Sequence, residues 1–356
     1  DYYLDYAIDD ISVIEFSPCR PVKDILSKNI TSSGATIEWN TATGADTAWI
    51  VEYGVTGFTP GTGTSVQVAA DSIVITGLNP STIYDFYIKG LCNTGDSSMN
   101  VGPNSFVTAC LSGLSGNYTL NPASATAGTN FNSFNDFFSL LLNCGLSGAT
   151  TLDVAPGSGP YILSIDMPFI SGSSSTNTLT INGNGNTINH GGGSYFIAMD
   201  GVKHFTINDF NFVNETPNNQ MFGLMMRNGC DSITIKNNTV DLGTGYTSSS
   251  SGAIVASNST TSVFSYGDNA NNITIDSNHI IGGYYGVRLN GTNTTTRNYG
   301  HKVTNNIVED FYNSGIYTYY VDSTVIRGND ISRPTRPTLS TFYGIYSYYN
   351  NNSHFL

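Results

Sequence analysis

A short apolar unit recurs along the C-terminal part of the chain, and this repeat limits the possible folds more than any other feature. The unit reads I-T-I-x-x-N-x-I and is clearest at residues 233–240 and 273–280. Aligned on their second apolar residue, the copies fall at Ile181, Ile207, Ile235, Ile275, Val303 and Ile326. Most steps are therefore 23 to 28 residues, which is the length of one unit in a stacked repeat array.

The residue types in each copy predict short strands. Apolar and polar residues alternate with a period of two, and the copies are joined by Asn and Gly. A second unit, glycine followed by an apolar residue, alternates with the first at Gly223, Gly252, Gly286, Gly315 and Gly344. Such units bury their apolar side only by stacking on the next copy, which builds parallel sheets along one axis. The sequence therefore predicts a parallel β-helix over residues 111–356.

The repeated Asn at positions 238, 278, 306 and 329 is expected to stack as a ladder whose amides satisfy backbone groups of neighbouring coils. The pattern resembles the right-handed parallel β-helix of pectate-lyase-like proteins. Residues 134, 137, 138, 141 and 142 are apolar at helical spacing. We expect this N-terminal helix to cap the β-helix, because an uncovered sheet end invites pairing with other chains.

The composition removes several classes of function. Only 11% of the 356 residues are charged, against about 25% in an average globular protein. The net charge is −13, which argues against nucleic-acid binding, since that binding depends on Lys and Arg at phosphates. No stretch reaches the roughly 18 to 20 apolar residues that cross a bilayer, so we expect no direct membrane insertion. Uncharged amides and hydroxyls fit stacked positions where like charges would repel each other.

Residues 19–110 show short strands separated by regular turn signals, the pattern of an all-β sandwich. Ala35, Ile37 and Trp39 alternate with polar residues, residues 49–53 repeat the pattern, and Leu-x-Pro-x-Thr-x-Tyr ends at Tyr84. This segment resembles the fibronectin type III modules of secreted Bacteroidetes-type proteins. The resemblance implies a spacer domain in which the Tyr84 hydroxyl ties the strand entry to upstream backbone.

Residues 1–18 read as one alternating strand with acidic residues between apolar ones. They resemble the last strand of jelly-roll modules, including meprin-like adhesive domains, that end in a DDIS-type motif. The resemblance implies a truncated module and makes Asp9 and Asp10 candidate Ca²⁺ ligands, and calcium is the one cofactor suggested. The alternative is a solvated acidic edge strand. The abrupt C-terminus likewise leads us to expect further coils beyond residue 356.

Five cysteines bear on the compartment. In the fibronectin type III fold the start of the first strand and the end of the sixth lie at one pole, so the resemblance implies a Cys19–Cys92 disulfide. A Cys110–Cys144 bridge would stiffen the junction between the domains. Cys230 remains, either as a small buried hydrophobe or as a reactive thiol.

Two glycine-led segments suggest a ligand surface. In residues 315–319 and 344–348 the Ile side chains are expected to point inward, which sends Tyr317, Tyr319, Tyr346 and Tyr348 outward. Coils stack about 4.8 Å apart, so these tyrosines would form two short columns, with Arg288 one coil earlier. Exposed aromatic rings suit sugars, and the alternative is that stacked tyrosines only stabilise the sheet.

The resemblance to pectate-lyase-like proteins also implies an enzyme as an alternative. Lyases of this fold use a Lys or Arg as base, often with Ca²⁺ held by Asp, and hydrolases use clustered Asp residues. The outward candidates are Arg288, Lys302 and Arg327 as bases and Asp209, Asp276, Glu309, Asp310 and Asp322 as acids. They are scattered in sequence, and His301–Lys302 is the best single pair for chemistry. Loops around residues 243–271 would border a substrate groove.

The segments containing Thr47, Ser72, Ser232 and Ser323 resemble the D-[S/T]-apolar acceptors of Bacteroidetes-type O-glycosylation. Together these features predict a secreted or cell-surface protein that binds a polysaccharide or surface glycan, as an adhesin does, through a β-helix on a fibronectin type III spacer. The alternatives are a polysaccharide lyase or glycoside hydrolase with its site in the β-helix groove, and a purely structural extracellular stalk.

Overall fold

The computed structural model describes residues 19–41, 46–92, 95–214, 221–293, 297–336 and 341–356. The protein is all-β, with 52% of residues in strands and 3% in helix, which confirms the predicted class. The chain divides into two compact units after Leu111. The segment that carries Asp9 and Asp10 lies outside the described residues, so their assignment as Ca²⁺ ligands stays a prediction.

The described residues of the first unit form seven antiparallel strands in two sheets. The strands are β1 (Lys23–Lys28), β2 (Gly34–Asn40), β3 (Asp46–Val55), β4 (Thr64–Val68), β5 (Ser72–Thr76), β6 (Ile83–Cys92) and β7 (Val101–Val107). One sheet has the order β1-β2-β5 and the other β4-β3-β6-β7. Trp39 and Trp49 are buried between them and meet edge to face, with ring centroids 5.9 Å apart. This is a fibronectin type III-like sandwich.

Two specific predictions for this unit are confirmed. The backbone N–H of Asn79 donates to the Tyr84 hydroxyl at 3.0 Å, as a tyrosine corner requires. Cys19 and Cys92 form a disulfide, with their Cα atoms 5.6 Å apart. Cys110 and Cys144 are also disulfide-bonded, which is the state that their predicted pairing requires. Cys230 is a free, buried thiol, and burial raises its pKa to about 11, so it is not activated as a nucleophile.

The second unit is built from short strands. Its elements are β8 (Leu114–Leu120), β9 (Asn130–Phe131), α1 (Phe134–Cys144), β10 (Leu146–Val154), β11 (Tyr161–Leu163), β12 (Ile165–Met167), β13 (Leu179–Asn182), β14 (Thr187–His190), β15 (Tyr195–Asp200), β16 (Lys203–Asn208), β17 (Asn211–Val213), β18 (Phe222–Arg227), β19 (Cys230–Lys236), β20 (Thr239–Asp241), β21 (Gly252–Ala256), β22 (Ala270–Asn271), β23 (Thr274–Asp276), β24 (His279–Ile281), β25 (Tyr285–Asn290), β26 (Asn298–Tyr299), β27 (Lys302–Thr304), β28 (Ile307–Glu309), β29 (Ser314–Tyr319), β30 (Val321–Asp322), β31 (Val325–Arg327), β32 (Asp330–Ser332), β33 (Tyr343–Tyr348) and β34 (His354–Phe355).

These strands form three long parallel sheets that the chain visits in turn. The first sheet contains β8, β10, β13, β16, β19, β23, β27, β31 and β34 in consecutive order, with β9 at the edge beside β8. The second sheet is β11-β14-β17-β20-β24-β28-β32, and the third is β12-β15-β18-β21-β25-β29-β33. One strand from each sheet makes one repeat. In the first sheet the predicted register is confirmed, because the six aligned apolar residues pair in sequence from Ile181 to Ile326.

The predicted Asn ladder is present at the turn between the first and second sheets. The Asn238 amide donates to the Asn278 side-chain oxygen at 3.1 Å, and Asn278 donates to Asn306 at 3.0 Å. Asn306 in turn donates to Asn329 at 2.8 Å. Each of these oxygens also accepts the backbone N–H of the preceding Asn. The ladder thus satisfies polar groups that stacking would otherwise bury without partners.

Helix α1 begins where the side chain of Ser133 accepts the N–H of Asp136 and ends at Gly145, whose N–H bonds to Leu141. Phe134 and Phe138 line a small apolar cavity with Ile181 and other residues of the sheets, so the helix covers the interior as a cap would. Leu142, expected on the buried side, is exposed. Among the described residues no helix has the length and apolar content needed to cross a membrane.

Candidate binding surface on the third sheet

The outer side of the third sheet has two chemically different halves. Register along one column of outward positions runs through Ala198, Met225, Val255, Arg288, Tyr317 and Tyr346. The first part of the column is apolar and the last part is aromatic. All six positions face the same side of the sheet. The two halves therefore differ in the chemistry of their side chains and in whether a loop covers them.

A loop of residues 257–269, called here the covering loop, lies over the apolar half. Its Val263 is fully buried and belongs to a cluster with Met225, Val255 and Tyr285. The predicted insertion at residues 243–271 therefore contains strand β21 followed by this loop. The loop packs on the outer side of the third sheet and forms a second, small hydrophobic core there.

Arg288 lies under the same loop, and the prediction that it faces solvent is wrong. It is 2% exposed, and its Nε donates to the Val263 carbonyl at 2.9 Å. Its guanidinium carbon is 4.7 Å from the Phe264 ring centroid, 4.6 Å from that of Tyr285 and 4.0 Å from that of Tyr317. Burial lowers the pKa of the guanidinium, and the surrounding rings hold the cation through their faces. A side chain enclosed in this way cannot take a proton from a substrate on the surface.

The four tyrosines predicted to face outward lie in the expected columns. Tyr317 stacks on Tyr346 with centroids 5.0 Å apart and planes 11° from parallel. Tyr319 stacks on Tyr348 at 5.6 Å and 19°. Strand register places each pair directly opposite. Their geometry follows from two identical side chains on adjacent parallel strands, while their role in ligand binding stays a prediction.

Two further tyrosines extend the columns, and strand alternation did not identify them. Tyr320 stacks on Tyr349 at 5.2 Å with planes only 5° from parallel. Both residues have a positive φ of 53°, which turns their rings to the same side as the preceding tyrosine. The repeated Tyr-Tyr dipeptides at 319–320 and 348–349 were the available signal. Tyr317, Tyr319, Tyr320, Tyr346, Tyr348 and Tyr349 are called the tyrosine array below.

The backbone at this corner is notable because bulky residues rarely adopt positive φ. Earlier repeats place Gly201 (φ 66°) and Asn228 (φ 55°) at the equivalent corner, and both residue types adopt this conformation readily. The last two repeats place Tyr there instead. Tyrosine at positive φ is thus a departure from those earlier repeats, and residues in such conformations are concentrated at functional sites.

Stacking determines which atoms the array offers to solvent. Arg288 precedes Tyr317 in its column and Tyr346 follows it, so both faces of the Tyr317 ring are covered. Tyr266 of the covering loop stacks on Tyr319 at 5.2 Å, in addition to Tyr348. The array therefore presents mainly ring edges and hydroxyl groups, and Tyr348 and Tyr349 are the most open, at 44% and 48% exposure.

The hydroxyl groups of neighbouring tyrosines are linked in pairs. A hydrogen bond with Tyr320 raises the pKa of Tyr319, and one with Tyr349 raises the pKa of Tyr348. Burial raises the pKa of Tyr317. All these phenols are therefore neutral donors and acceptors near pH 7, and the surface is polar without being charged.

The structure does not bring the predicted catalytic bases together. Lys302 is exposed on the first sheet, and Arg288 is buried at the third sheet. His301 is 1% exposed, and burial lowers its pKa to about 4. Its imidazole lies in the interior and is out of reach of a polymer bound outside. Arg327 is exposed on the first sheet, one strand beyond Lys302.

The candidate acids do not converge either. Asp310, expected to face outward, is 4% exposed and accepts the backbone N–H groups of Thr335 and Arg336. A hydrogen bond from Thr304 holds the pKa of Asp276 below its usual value, which disfavours proton donation. Glu309 pairs with His279 at 2.9 Å, Asp322 is bonded to Ser323, and Asp209 is exposed. No group of three or more His, Cys, Asp or Glu suited to a metal ion occurs among the described residues.

The predicted O-glycosylation acceptors differ in access. Thr47 and Ser323 are exposed, whereas Ser72 and Ser232 are half-buried. Ser232 and Ser323 each donate to the carboxylate of the preceding Asp, at 2.6 and 2.8 Å. This local bond gives the Asp-Ser pair a structural role in the turn, and glycosylation stays a prediction.

No protein-family model matches the chain, and no curated protein matches it. Among solved structures, the FN1–FN3 domains of chicken CNTN1 are similar at 18% identity over 26% of this chain and 31% of that chain, with a TM-score of 0.24. The fn3 domain of human contactin 1 is 19% identical over 31% of this chain and 94% of its own, with a TM-score of 0.25. The fn3 domain of the human collagen alpha-1(XX) chain is 24% identical over 28% and 96%, with a TM-score of 0.25.

The present chain thus spans about a third of the chicken fragment. The fibronectin type III-like fold of its first unit rests on the strand order, the paired tryptophans and the tyrosine corner described above.

Proposed function

We propose that the protein is an extracellular glycan-binding protein whose tyrosine array contacts a polysaccharide or surface glycan, as an adhesin would. The observation that carries the proposal is the array itself: six tyrosines in three stacked columns, two of them at a corner where earlier repeats place Gly201 and Asn228 in the same backbone conformation. The disulfides of the chain support an oxidising compartment.

We infer that the three parallel sheets close around one core as a right-handed β-helix. The chain visits them in the same order in every repeat, and connections between parallel strands are right-handed in nearly all proteins. In such a helix the array would form part of one long outer side. A fibronectin type III-like spacer would hold that side away from the point of attachment.

The chemistry of the array suits sugars. Sugar rings offer C–H groups to aromatic edges and faces, and hydroxyl groups to neutral phenols. The array contacts the aromatic rings of its own tyrosines and of Tyr266, and the Arg288 cation lies against Tyr317. We expect Tyr348 and Tyr349 to make the main ring contacts, because they are the most exposed members, with Tyr317 and Tyr319 holding them in place.

A structural stalk is the second candidate, and one observation favours it. The covered faces of Tyr317 and Tyr319 show that stacking already satisfies these rings without a ligand. Cross-strand aromatic pairs contribute about 0.5–1.5 kcal/mol each to stability. The two candidates differ in whether the exposed members bind anything.

Binding to an array of neutral and acidic glycans tests the proposal. The double variant Tyr348→Ala and Tyr349→Ala is expected to weaken binding at least about tenfold, the equivalent of roughly 1.4 kcal/mol of lost contact. Tyr299→Ala is the matched control, since Tyr299 is 50% exposed and lies outside the array. The corresponding Phe variants separate ring contact from hydroxyl hydrogen bonding.

Absence of binding to any glycan, or equal loss in the Tyr299→Ala control, would favour the stalk. Release of unsaturated or reducing sugars from a polysaccharide would instead support the lyase or hydrolase alternative, although the candidate acids and bases are dispersed in the described chain.

A further inference from the structure

The column formed by Tyr320 and Tyr349 is the most regular contact of the array. The two rings lie 5.2 Å apart and 5° from parallel, on turns that follow paired strands β29 and β33. Tyr349 is 48% exposed and Tyr320 is half-buried. Reactive phenols are thus held face to face, close to solvent, across two successive repeats.

We propose that Tyr320 and Tyr349 are an oxidative cross-linking site, at which a carbon–carbon bond between the two rings joins successive repeats covalently. The co-reactant is hydrogen peroxide acting through a haem peroxidase. Each phenol loses one hydrogen atom, as a proton and an electron, and becomes a phenoxyl radical. The radicals couple between ring carbons ortho to the hydroxyls, and the ortho hydrogens move to the oxygens to restore both phenols. Hydrogen peroxide takes up the two hydrogen atoms and becomes two water molecules, so the reaction balances.

The other two columns are less suited to this reaction. The Arg288 guanidinium lies 4.0 Å from the Tyr317 centroid, and a cation at that distance disfavours removal of an electron from the ring. Tyr319 and Tyr348 are farther apart and more tilted, at 5.6 Å and 19°. In the part of the chain that the structure describes, no cation stacks on the ring of Tyr320 or Tyr349; Arg297 donates to the backbone carbonyl of Tyr349 at 2.8 Å.

The hydroxyl groups of the array are hydrogen-bonded in pairs, Tyr319 with Tyr320 and Tyr348 with Tyr349. Because the two phenols of a pair are chemically alike, a hydrogen atom can move along the bond in either direction. Oxidation that begins on Tyr319 or Tyr348 can therefore reach the parallel rings of Tyr320 and Tyr349.

The cross-link would act on stability as a disulfide does. It closes a loop between residues 320 and 349, which removes conformational freedom from the unfolded chain. We expect the oxidised protein to unfold at a higher temperature than the untreated protein. The strain at the two positive φ angles is then explained by the need to bring these rings together.

The test treats the full chain, at low concentration, with a haem peroxidase and hydrogen peroxide. We expect a monomer that has lost two hydrogen atoms, emits dityrosine fluorescence, and yields a joined pair of tryptic peptides, one containing Tyr320 and the other Tyr349. Trypsin separates these residues at Arg327. Tyr320→Phe and Tyr349→Phe keep both rings, and each should abolish the joined peptides.

Tyr87→Phe is the matched control, because Tyr87 contacts Phe58 in the first unit and has no tyrosine ring partner in the described contacts; it should leave the joined peptides unchanged. A bond that maps to Tyr348 and Tyr349 within one peptide would overturn the assignment. So would joined peptides that persist in Tyr320→Phe, or products that are only intermolecular dimers. None of these outcomes depends on glycan binding.

Discussion

The Asn ladder and the tyrosine array are both columns of one residue type repeated on stacked strands, yet they differ in what the fold demands of them. The ladder is buried, and its amides accept backbone N–H groups that have no access to water. The array is half-exposed, and its hydroxyl groups could bond to water instead. A buried repeated residue is therefore required by the fold, whereas an exposed one is open to selection for another role.

The largest effect should come from breaking the ladder. In Asn278→Ala the backbone N–H of Asn238 loses its acceptor at 3.0 Å, and the side-chain amide of Asn238 loses one of its three acceptors. Leaving buried polar groups unpaired costs about 1–3 kcal/mol each, so we expect the free energy of unfolding to fall by about 3 kcal/mol in urea denaturation. Asn208→Ala, on the half-buried outer side, is the control and should cost about 1 kcal/mol. Equal losses would contradict the distinction between buried and exposed columns.

His301 allows a second test of how a buried polar group affects stability. It is buried, and its Nδ1 has no hydrogen-bond partner among the described residues. Its pKa is about 4 in the folded protein, below the value of about 6.5 in an unfolded chain. The unfolded state therefore binds the proton first as the pH falls. The full contribution to stability is present above about pH 6.5, and about 3 kcal/mol is lost as the pH falls to 4.

Denaturation curves of the wild type and His301→Gln between pH 4 and 7 would measure this contribution. The variant should lack most of the decline that the histidine causes. If both proteins lose stability in parallel, the acid sensitivity has another source.

A smaller effect is expected in the array. Tyr346→Ala removes one stacked pair at 5.0 Å, and such pairs contribute about 0.5–1.5 kcal/mol. The midpoint of thermal unfolding should therefore fall by only a few degrees, less than in Asn278→Ala. A loss above about 3 kcal/mol would show that the array is structural, as the ladder is, and would weaken the binding proposal.

The smallest change should follow from Tyr320→Asn. Asn228 occupies the equivalent corner of an earlier repeat with a similar φ, so Asn relieves the backbone strain while the ring stack is lost. Relief of strain stabilises the protein and loss of the ring stack destabilises it. We therefore expect the free energy of unfolding, measured by urea denaturation, to change by no more than about 1 kcal/mol. A marked destabilisation would mean that the fold itself requires a tyrosine at this corner.

Much of the fold was predictable because it follows from local rules. A two-residue alternation, a repeat of constant length and a recurring Asn specify parallel stacking, and they correctly placed Ile235 beside Ile275 and Asn238 beside Asn278. The Cys19–Cys92 disulfide followed from the resemblance to a fibronectin type III fold. These features depend on periodicity or on a known topology, which a sequence contains explicitly.

The candidate site was predictable in part. Alternation placed Tyr317 and Tyr346 outward and in register. It could not identify Tyr320 and Tyr349, because their rings reach the same side only through a positive φ that alternation does not describe. It also mistook Arg288 for an exposed base and Asp310 for an exposed acid, since both are covered by loops distant in sequence.

By itself, the sequence determined which residues repeat, which side of each strand they occupy and which neighbours they meet one repeat away, because these relations are set by strand geometry. Only the tertiary structure decided which outward positions remain open. The covering loop buries Val255 and Arg288 and stops short of Tyr348 and Tyr349, because burial depends on how a loop packs across the sheet, and no local pattern encodes that packing.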